Sequence, residues 1–287
     1  MRRPEDFWPI EDECLEQYLR FVGYGHEEAA RSSVAIVAIA RNIMPAGENT
    51  LLLLDELAAR FRSAKFYCFE NDSADQTIAV LDEFATTRPW VTVEHATLDR
   101  PDYRGFEEPR TYALAEYRNR CRQWVERNAA DAQYVVVLDM DPHGGFSVDG
   151  VINSVGWLRD FSGRVQRPLE PGCMASYSLF VSKTEEGGIS VAHYDSYAAR
   201  LSWWADRRER VGNIWFHALL PPAGGDPIPM YSAFGGLAVY RAEAFRRCVY
   251  GGGDCEHVIA HKAMRRAGYG LWLNPGCRYA AVLPEGS

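Results

Sequence analysis

Two aspartates one residue apart, Asp139 and Asp141, close the stretch "QYVVVLDMDPHGG" (133–145). Four apolar residues, Val135 to Leu138, lead straight into them, and Pro142 and two glycines break the chain after them. Carboxylates at i and i+2, where a buried strand enters a turn, can both face a hard, oxygen-liganded cation such as Mg²⁺ or Mn²⁺. A diphosphate could complete the coordination, and the metal would then stabilise charge growing on that leaving group. Spacing alone decides little, because a solvated turn also carries acids. The abrupt passage from apolar strand to acid pair to Pro/Gly turn is what favours a metal site.

Other groups could serve the same chemistry. Arg41 and Asn42 end the apolar run "SSVAIVAIARN", and Glu70 and Asp72 end "AKFYCFEND". Carboxylates at such a rim can accept bonds from ribose hydroxyls or base N–H groups, although Asp72 could instead cap the helix that follows. Arg118, beside Asn119 in "YRNRC", can grip phosphate oxygens in fork geometry. Asp195 sits between Tyr194 and Tyr197, a setting suited to a sugar or to a plain core. Gly235 and Gly236 would let a ligand approach the backbone, or mark a bulged strand. Asp254 and Glu256 flank a helix start, where the dipole favours acids and where a carboxylate in reach can take a hydroxyl proton. His257 and His261 share a helix face at i and i+4, and without a third strong ligand they predict no independent zinc site.

The elements that must position these residues follow from periodicity. "SSVAIVAIARN" (32–42), "AKFYCFEND" (64–72), "WVTVEHAT" (90–97) and "YVVVLDMD" (134–141) read as strands, the first with the continuous β-branched run of a central parallel strand. Between them, "ENTLLLLDELAARFRS" places Leu53, Leu54, Leu57 and Phe61 on one helical face, and "SADQTIAVLDEFATT" opens with a Ser/Asp cap. "TYALAEYRNRCRQWVERNA" carries the stripe Leu114, Tyr117, Cys121, Trp124 and Val125, with Arg118, Asn119 and Arg122 off it. The order β-α-β-α-β-loop-α-β predicts an open, mostly parallel sheet whose ligands gather at the carboxyl ends of its strands. The endings "ARN", "FEND" and "LDMD" should therefore share one rim. Beyond it come a helix in "SVDGVINSVGWLRDF", strand-like "CMASYSLFVS", "GISVAHYDSYAARLSW" and "IPMYSAFGGLAVYR", helices near 242–248 and 255–266, and "GYGLWLNPG".

Size and composition set the outer limits. At 287 residues and 47% hydrophobic, the chain can bury a substantial core and reads as one compact unit, 1–287. A net charge of -8 and pI near 5.5 argue against broad attachment to nucleic acid or anionic lipid. Arginines cluster at 118–122 and 207–210, as local phosphate or carboxylate binders or as a solvated face. Seven scattered cysteines with no C-x-x-C pair predict a reducing compartment. No signal-like apolar segment opens the chain, and the longest clean apolar run, Val34–Ala40, cannot span a bilayer. The expected setting is cytoplasmic, at the membrane periphery if the acceptor is lipid-linked. P-loop, Rossmann dinucleotide and nucleophile-elbow signatures are absent.

"LDMD" after this β-α succession resembles the D-x-D element of GT-A glycosyltransferases, which use nucleotide-sugars. "VAIARN", "FYCFENDSADQT" and "YRNRC" resemble, in the same order, the fungal capsule-associated α-mannosyltransferases and related bacterial proteins. "FGGLAVYRAEAF" and "GGGDCEHVIAHKAMRRAG" resemble the late region of several GT-A families, where a Gly-Gly strand packs near the donor sugar and an acidic segment opens the next helix. The resemblance implies a GT-A-like (Rossmann-like) α/β fold, with a nucleotide-sugar-binding half at 33–150 and a mixed α/β acceptor-binding half at 151–287. It implies Mn²⁺ or Mg²⁺ at Asp139 and Asp141, and donor contacts at Arg41, Asn42, Glu70, Asp72, Arg118, Asn119, Gly235 and Gly236. Glu256, Asp254 or Asp195 would act at the reacting centre, as a base if the reaction inverts or as electrostatic support if it retains. The donor it implies is GDP-mannose and the acceptor a glycan or lipid-linked hydroxyl. Many GT-A enzymes take a third metal ligand from a later histidine; none follows His261, so His257 or His261 would have to substitute. Two other readings stay open: a nucleotidyltransferase acting on a sugar phosphate, and a non-catalytic sugar- or nucleotide-binding protein.

Overall fold

A computed structural model describes residues 1–101, 103, 107–160, 169–183, 189–202, 205 and 219–282. The arginine run 207–210 lies outside the described residues. The first strand, β1 (Ser33–Ala40), is buried at every residue but Ile39, as its unbroken apolar run requires of a strand covered on both faces. β2 (Ser63–Asn71) and β4 (Tyr134–Asp139) flank it in parallel, and β3 (Val91–Ala96) extends the sheet beyond β2. In this register Ile39 lies opposite both Phe69 and Asp139, so the ends of β1, β2 and β4 meet at one edge.

Alternation along β1 feeds two cores. Val34, Ile36 and Ala38 face α2 (Ala46–Ala58) and α3 (Thr77–Thr86), where Leu53, Leu54, Leu57 and Leu81 are fully buried. Ala35 and Val37 face α4 (Glu108–Asn128), through Tyr117, Cys121 and Val125. The stripe expected for α4 is displaced: Leu114 and Trp124 are only half-buried, while Arg118 is 3% exposed. An ion pair at the end of β4 explains its position, as described below.

The helix α1 (Asp12–Ala29) lies where the sequence shows only an acidic leader. Its buried face, Tyr18, Phe21, Val22, Gly25 and Ala29, has helical spacing, and it packs on α5 (Val148–Asp160). The approach is so close that a Cβ on Gly25 would stand 1.9 Å from the Ile152 carbonyl oxygen, and one on Gly156 1.9 Å from that of Phe21. Phe21 stacks on Trp157 across the seam.

The second half completes the same sheet. β5 (Glu170–Lys183) pairs with β6 (Ile189–His193), β8 (Leu237–Arg241) and β9 (Tyr269–Val282), and β7 (Ile228–Met230) closes the edge beyond β9. β8 enters antiparallel between β4 and β5, giving the order β3-β2-β1-β4-β8-β5-β9-β7. "IPMYSAFGGLAVYR" is thus two strands. Gly235 and Gly236, with φ of 70° and 83°, turn the chain between them. "GISVAHYDSYAARLSW" likewise stops as a strand at His193 and turns at Asp195, whose φ is 56°. Two helices, α6 (Ala242–Phe245) and α7 (Glu256–Arg266), follow β8 on the α4 side. Among the described residues no helix is long and apolar enough to cross a membrane.

Candidate active site

A cleft of about 480 Å³ opens at the carboxyl ends of β1 and β4. Its floor is Asp139, Met140 and Asp141; one wall is Arg41, Asn42 and Asn71, and the other is Asp195, Glu256 and His257. Arg110, Leu114 and Arg118 of α4 line it, together with Tyr103, Tyr194 and Phe234. Residues from both halves of the sequence therefore converge on the acid pair.

Asp139 is fixed on two sides. Its backbone N–H donates to the Gly236 carbonyl at 2.7 Å, and its Oδ1 accepts from Arg118 Nη2 at 2.5 Å. Burial works against the Arg118 charge, but Asp139, and after it Glu256, more than restore it, so the guanidinium is held still more firmly protonated. Asp141 is more than a third open to the cleft, yet protein crowds its carboxyl from every other side. That burial, and then the neighbouring Asp139 carboxylate, lift its acid to about 6, while its own backbone N–H, the nearby Tyr279 hydroxyl and the Arg118 charge hold it back. Two carboxylates this close repel, and a divalent cation between them removes the repulsion. An all-oxygen donor pair of this kind fits Mg²⁺ or Mn²⁺.

Among the described residues no group of three His, Cys, Asp or Glu side chains could hold a metal ion, so His257 is not brought into a ligand set with the aspartates. It lies 2% exposed in the cleft wall, stacked on Phe234 at 3.7 Å, with Nε2 3.5 Å from Glu256 Oε1. Burial, followed by the Arg118 charge, pushes its pKa well below the usual histidine value and keeps the ring neutral. His261 is buried deeper, between the Ser232 and Tyr240 hydroxyls at 2.8 Å each.

The acids near the start of α7 have parted ways. Asp254 pairs with Arg200, itself 1% exposed, at 3.1 Å, and accepts the Cys255 N–H at 2.7 Å. Arg200 in turn holds the carbonyls of Tyr197 and Ala199, so Asp254 ties down the turn that carries Asp195. Glu256 faces the cleft instead. Burial raises its pKa and the Arg118 charge restrains the rise. Asp195 Oδ2 accepts the Gly235 N–H at 3.2 Å; burial, then the Glu256 and Asp139 carboxylates, push its acid up to about 7.

Several expected ligand contacts are committed to the protein. Glu70 accepts the Ser73 N–H at 2.9 Å and meets His95 at 3.0 Å; Asp72 accepts the Leu98 and Asp99 N–H groups at 2.8 and 3.0 Å rather than capping α3. Neither lines the cleft. Asn119 brackets Tyr250, donating to its carbonyl at 2.9 Å and accepting its N–H at 3.2 Å. The open sides of the two glycines are filled: a Cβ on Gly235 would stand 2.6 Å from the Ser176 carbonyl, and one on Gly236 2.5 Å from the Tyr279 ring. They let these groups, not a ligand, approach. Arg41 and Asn42 do line the cleft; Arg41 donates to the carbonyls of Arg100 and Pro101, and Asn42 accepts the Ala74 N–H.

Sequence reasoning missed Arg110, Asn71 and Tyr279. Arg110 stands eight residues before Arg118, two helical turns along one face, which is a readable signal. Tyr279, in a strand with no counterpart motif, offered none.

The parallel β3-β2-β1-β4 segment and the antiparallel β8 beside it belong to a GT-A-like α/β fold. Among solved structures, that of GalNAc-T7 with UDP, GalNAc and Mn²⁺ is similar at a TM-score of 0.51 and 16% identity, over 89% of this chain and 45% of that one. The mannosyltransferase PcManGT from Pyrobaculum calidifontis, in complex with GDP-Man and Mn²⁺, gives 0.48 at 16% identity over 95% and 65%. Glucosyl-3-phosphoglycerate synthase from Mycobacterium tuberculosis, with Mn²⁺, UDP and phosphoglyceric acid, gives 0.48 at 15% over 91% and 73%. The chain spans less than two thirds of the first two of these proteins. No family model and no curated protein matches the sequence.

Proposed function

We propose that the chain is a metal-dependent glycosyltransferase that moves a sugar from a nucleoside diphosphate donor to an acceptor hydroxyl. The observation that carries this reading is the Asp139–Asp141 pair on the floor of a 480 Å³ cleft in a GT-A-like fold, with Asp141 lifted to about 6 beside its neighbour. Asp139 and Asp141 would hold Mn²⁺ or Mg²⁺, with phosphate oxygens and water supplying the other ligands; the bound ion would neutralise charge on the departing diphosphate. Arg118 orients Asp139. Arg41 and Asn42, which line the cleft at the β1 end, would position the nucleotide. Glu256 faces the cleft as the acceptor base of an inverting reaction; in a retaining one, it and Asp195 support positive charge at the sugar carbon. The motif order from "VAIARN" to "LDMD" supports a retaining mannosyltransferase using GDP-mannose, with a glycan or lipid-linked acceptor at a cytoplasmic site.

A panel of sugar nucleotides, each with Mn²⁺ or Mg²⁺ and scored by free nucleoside diphosphate, tests the proposal. Turnover should require the metal, and D139N or D141N should lower it by about 100-fold or more, as expected when several kcal/mol of charge stabilisation is lost. Pyrophosphate release from a nucleoside triphosphate and a sugar phosphate would replace this reading with a nucleotidyltransferase. Metal-dependent nucleotide binding with no turnover of any donor would reduce it to a binding protein.

A further inference from the structure

We infer that Glu5, on the segment before α1, is a positioning residue for the acid pair, holding from behind the turn that carries Asp141. The inference rests on the metal-binding reading of Asp139 and Asp141.

Arg278 of β9 is completely buried, and a buried guanidinium demands a counter-charge. Among the described residues the carboxylate that supplies it is Glu5, whose Oε1 accepts from Arg278 Nη2 at 3.0 Å; Arg278 Nη1 donates to the Trp8 carbonyl. The same Glu5 oxygen accepts from the Ser147 hydroxyl. Glu5 thus bridges β9 and the end of the turn that follows the acid pair.

That turn lies along β9 through backbone bonds. Gly144 N–H donates to the Ala280 carbonyl at 2.8 Å, Ala280 N–H to Gly145 at 2.9 Å, and Ser147 N–H to Arg278 at 2.8 Å. Between Arg278 and Ala280 stands Tyr279, whose hydroxyl donates to the Asp139 carbonyl at 3.5 Å and whose ring fills the open side of Gly236, the residue that accepts the Asp139 N–H. A line of contacts therefore runs from Glu5 through Arg278 and Tyr279 to the backbone of Asp139, while the turn bonded to β9 carries Asp141. The leading segment also presses on the turn directly. A Cβ on Gly144 would stand 2.7 Å from the Phe7 ring, and one on Gly145 2.5 Å from the Arg2 carbonyl. This contact explains the two glycines after Pro142. They make room for the segment that braces the acid pair.

Outer-shell partners orient ligands and tune metal affinity. Manganese binding to the full chain, followed by the electron paramagnetic resonance signal of free Mn²⁺, compares wild type with E5Q, which removes the charge but keeps the shape. S147A removes the turn's link to Glu5 while Arg278 stays paired, and R31A, a surface ion pair elsewhere, serves as control. Both E5Q and S147A should weaken Mn²⁺ binding by about threefold or more, short of the ~10–100-fold typical of groups that touch the ligands themselves. Amide exchange should quicken at 144–147 and 278–280 in both variants, and in S147A also at Gly150, whose N–H the Ser147 hydroxyl accepts at 2.9 Å, while R31A should change neither readout. Wild-type affinity with unchanged exchange in both variants would overturn the inference, as would acceleration spread over the whole chain. If wild type binds no Mn²⁺, the metal reading falls, and the exchange comparison still decides whether Glu5 holds the turn.

Discussion

Arg118 is the cation on which the cleft's carboxylates lean, and replacing it by methionine measures how much. Its guanidinium is 3% exposed, bonds Asp139 at 2.5 Å and lies 5.2 Å over the Phe234 ring. Removing one partner of a buried pair leaves the other charge uncompensated, which costs about 3–5 kcal/mol. The loss should also depend on pH. In wild type, burial raises the Glu256 acid and the Arg118 charge restrains it. R118M lifts that restraint, so the Glu256 pKa climbs further in the folded state. A carboxylate with a raised folded pKa gives stability that is fully present below its unfolded pKa and lost as pH rises through the folded value. The deficit of R118M should therefore be smaller at pH 5 than at pH 8, widening by about 1.4 kcal/mol for each unit that Glu256 rises. Urea denaturation in EDTA at both pH values supplies the numbers. A deficit under about 1 kcal/mol at pH 8, or one that does not widen, would refute the claim that Arg118 neutralises this cluster.

Asp195, lifted from 3.8 to about 7, should make the metal-free protein lose stability as pH rises from about 4 to 7. D195N can still accept the Gly235 N–H and should be more stable than wild type at pH 8, by up to about 4 kcal/mol, with the advantage vanishing near pH 4; denaturation at the two pH values checks it. G25A should cost about 3 kcal/mol or more, because its methyl would collide with the Ile152 carbonyl where neither helix can move freely; a thermal midpoint unchanged from wild type would contradict the close α1–α5 seam.

How much of this was legible depended on range. Local periodicity located β1, β2 and β4 as short apolar runs bounded by turn residues and β3 by its alternation, and it predicted that the endings "ARN", "FEND" and "LDMD" share a rim; Arg41, Asn42, Asn71, Asp139 and Asp141 do line one cleft, whereas Glu70 and Asp72 do not. α1 escaped notice although its buried face has helical spacing, because Gly23 and Gly25 and the acids around them mask the pattern. Arg118 was legible as a cation but not as a buried one: its place is set by Asp139, 21 residues away. The same holds for Asp254 and Glu256. Both are acids at a helix start, yet Arg200 claims the first and the cleft receives the second. Nothing in local spacing distinguishes them, because the deciding partner arrives from another part of the chain. β9 was foreseen only as far as "GYGLWLNPG", since its later residues pair with β5 without any alternating pattern to announce a strand.

The insertion of β8 between β4 and β5 governs how the molecule must be assembled. Tyr134 pairs with Arg241 and Leu138 with Leu237, so the strand that ends in the acid pair gains its second neighbour only after the chain has travelled out to β5 and returned. Contacts so distant in sequence are slow to close. Until they do, an emerging polypeptide presents β4 as a bare, apolar edge open to the wrong partner. Biosynthesis should thus pass through a vulnerable stage that ends when residues 237–241 leave the ribosome and dock.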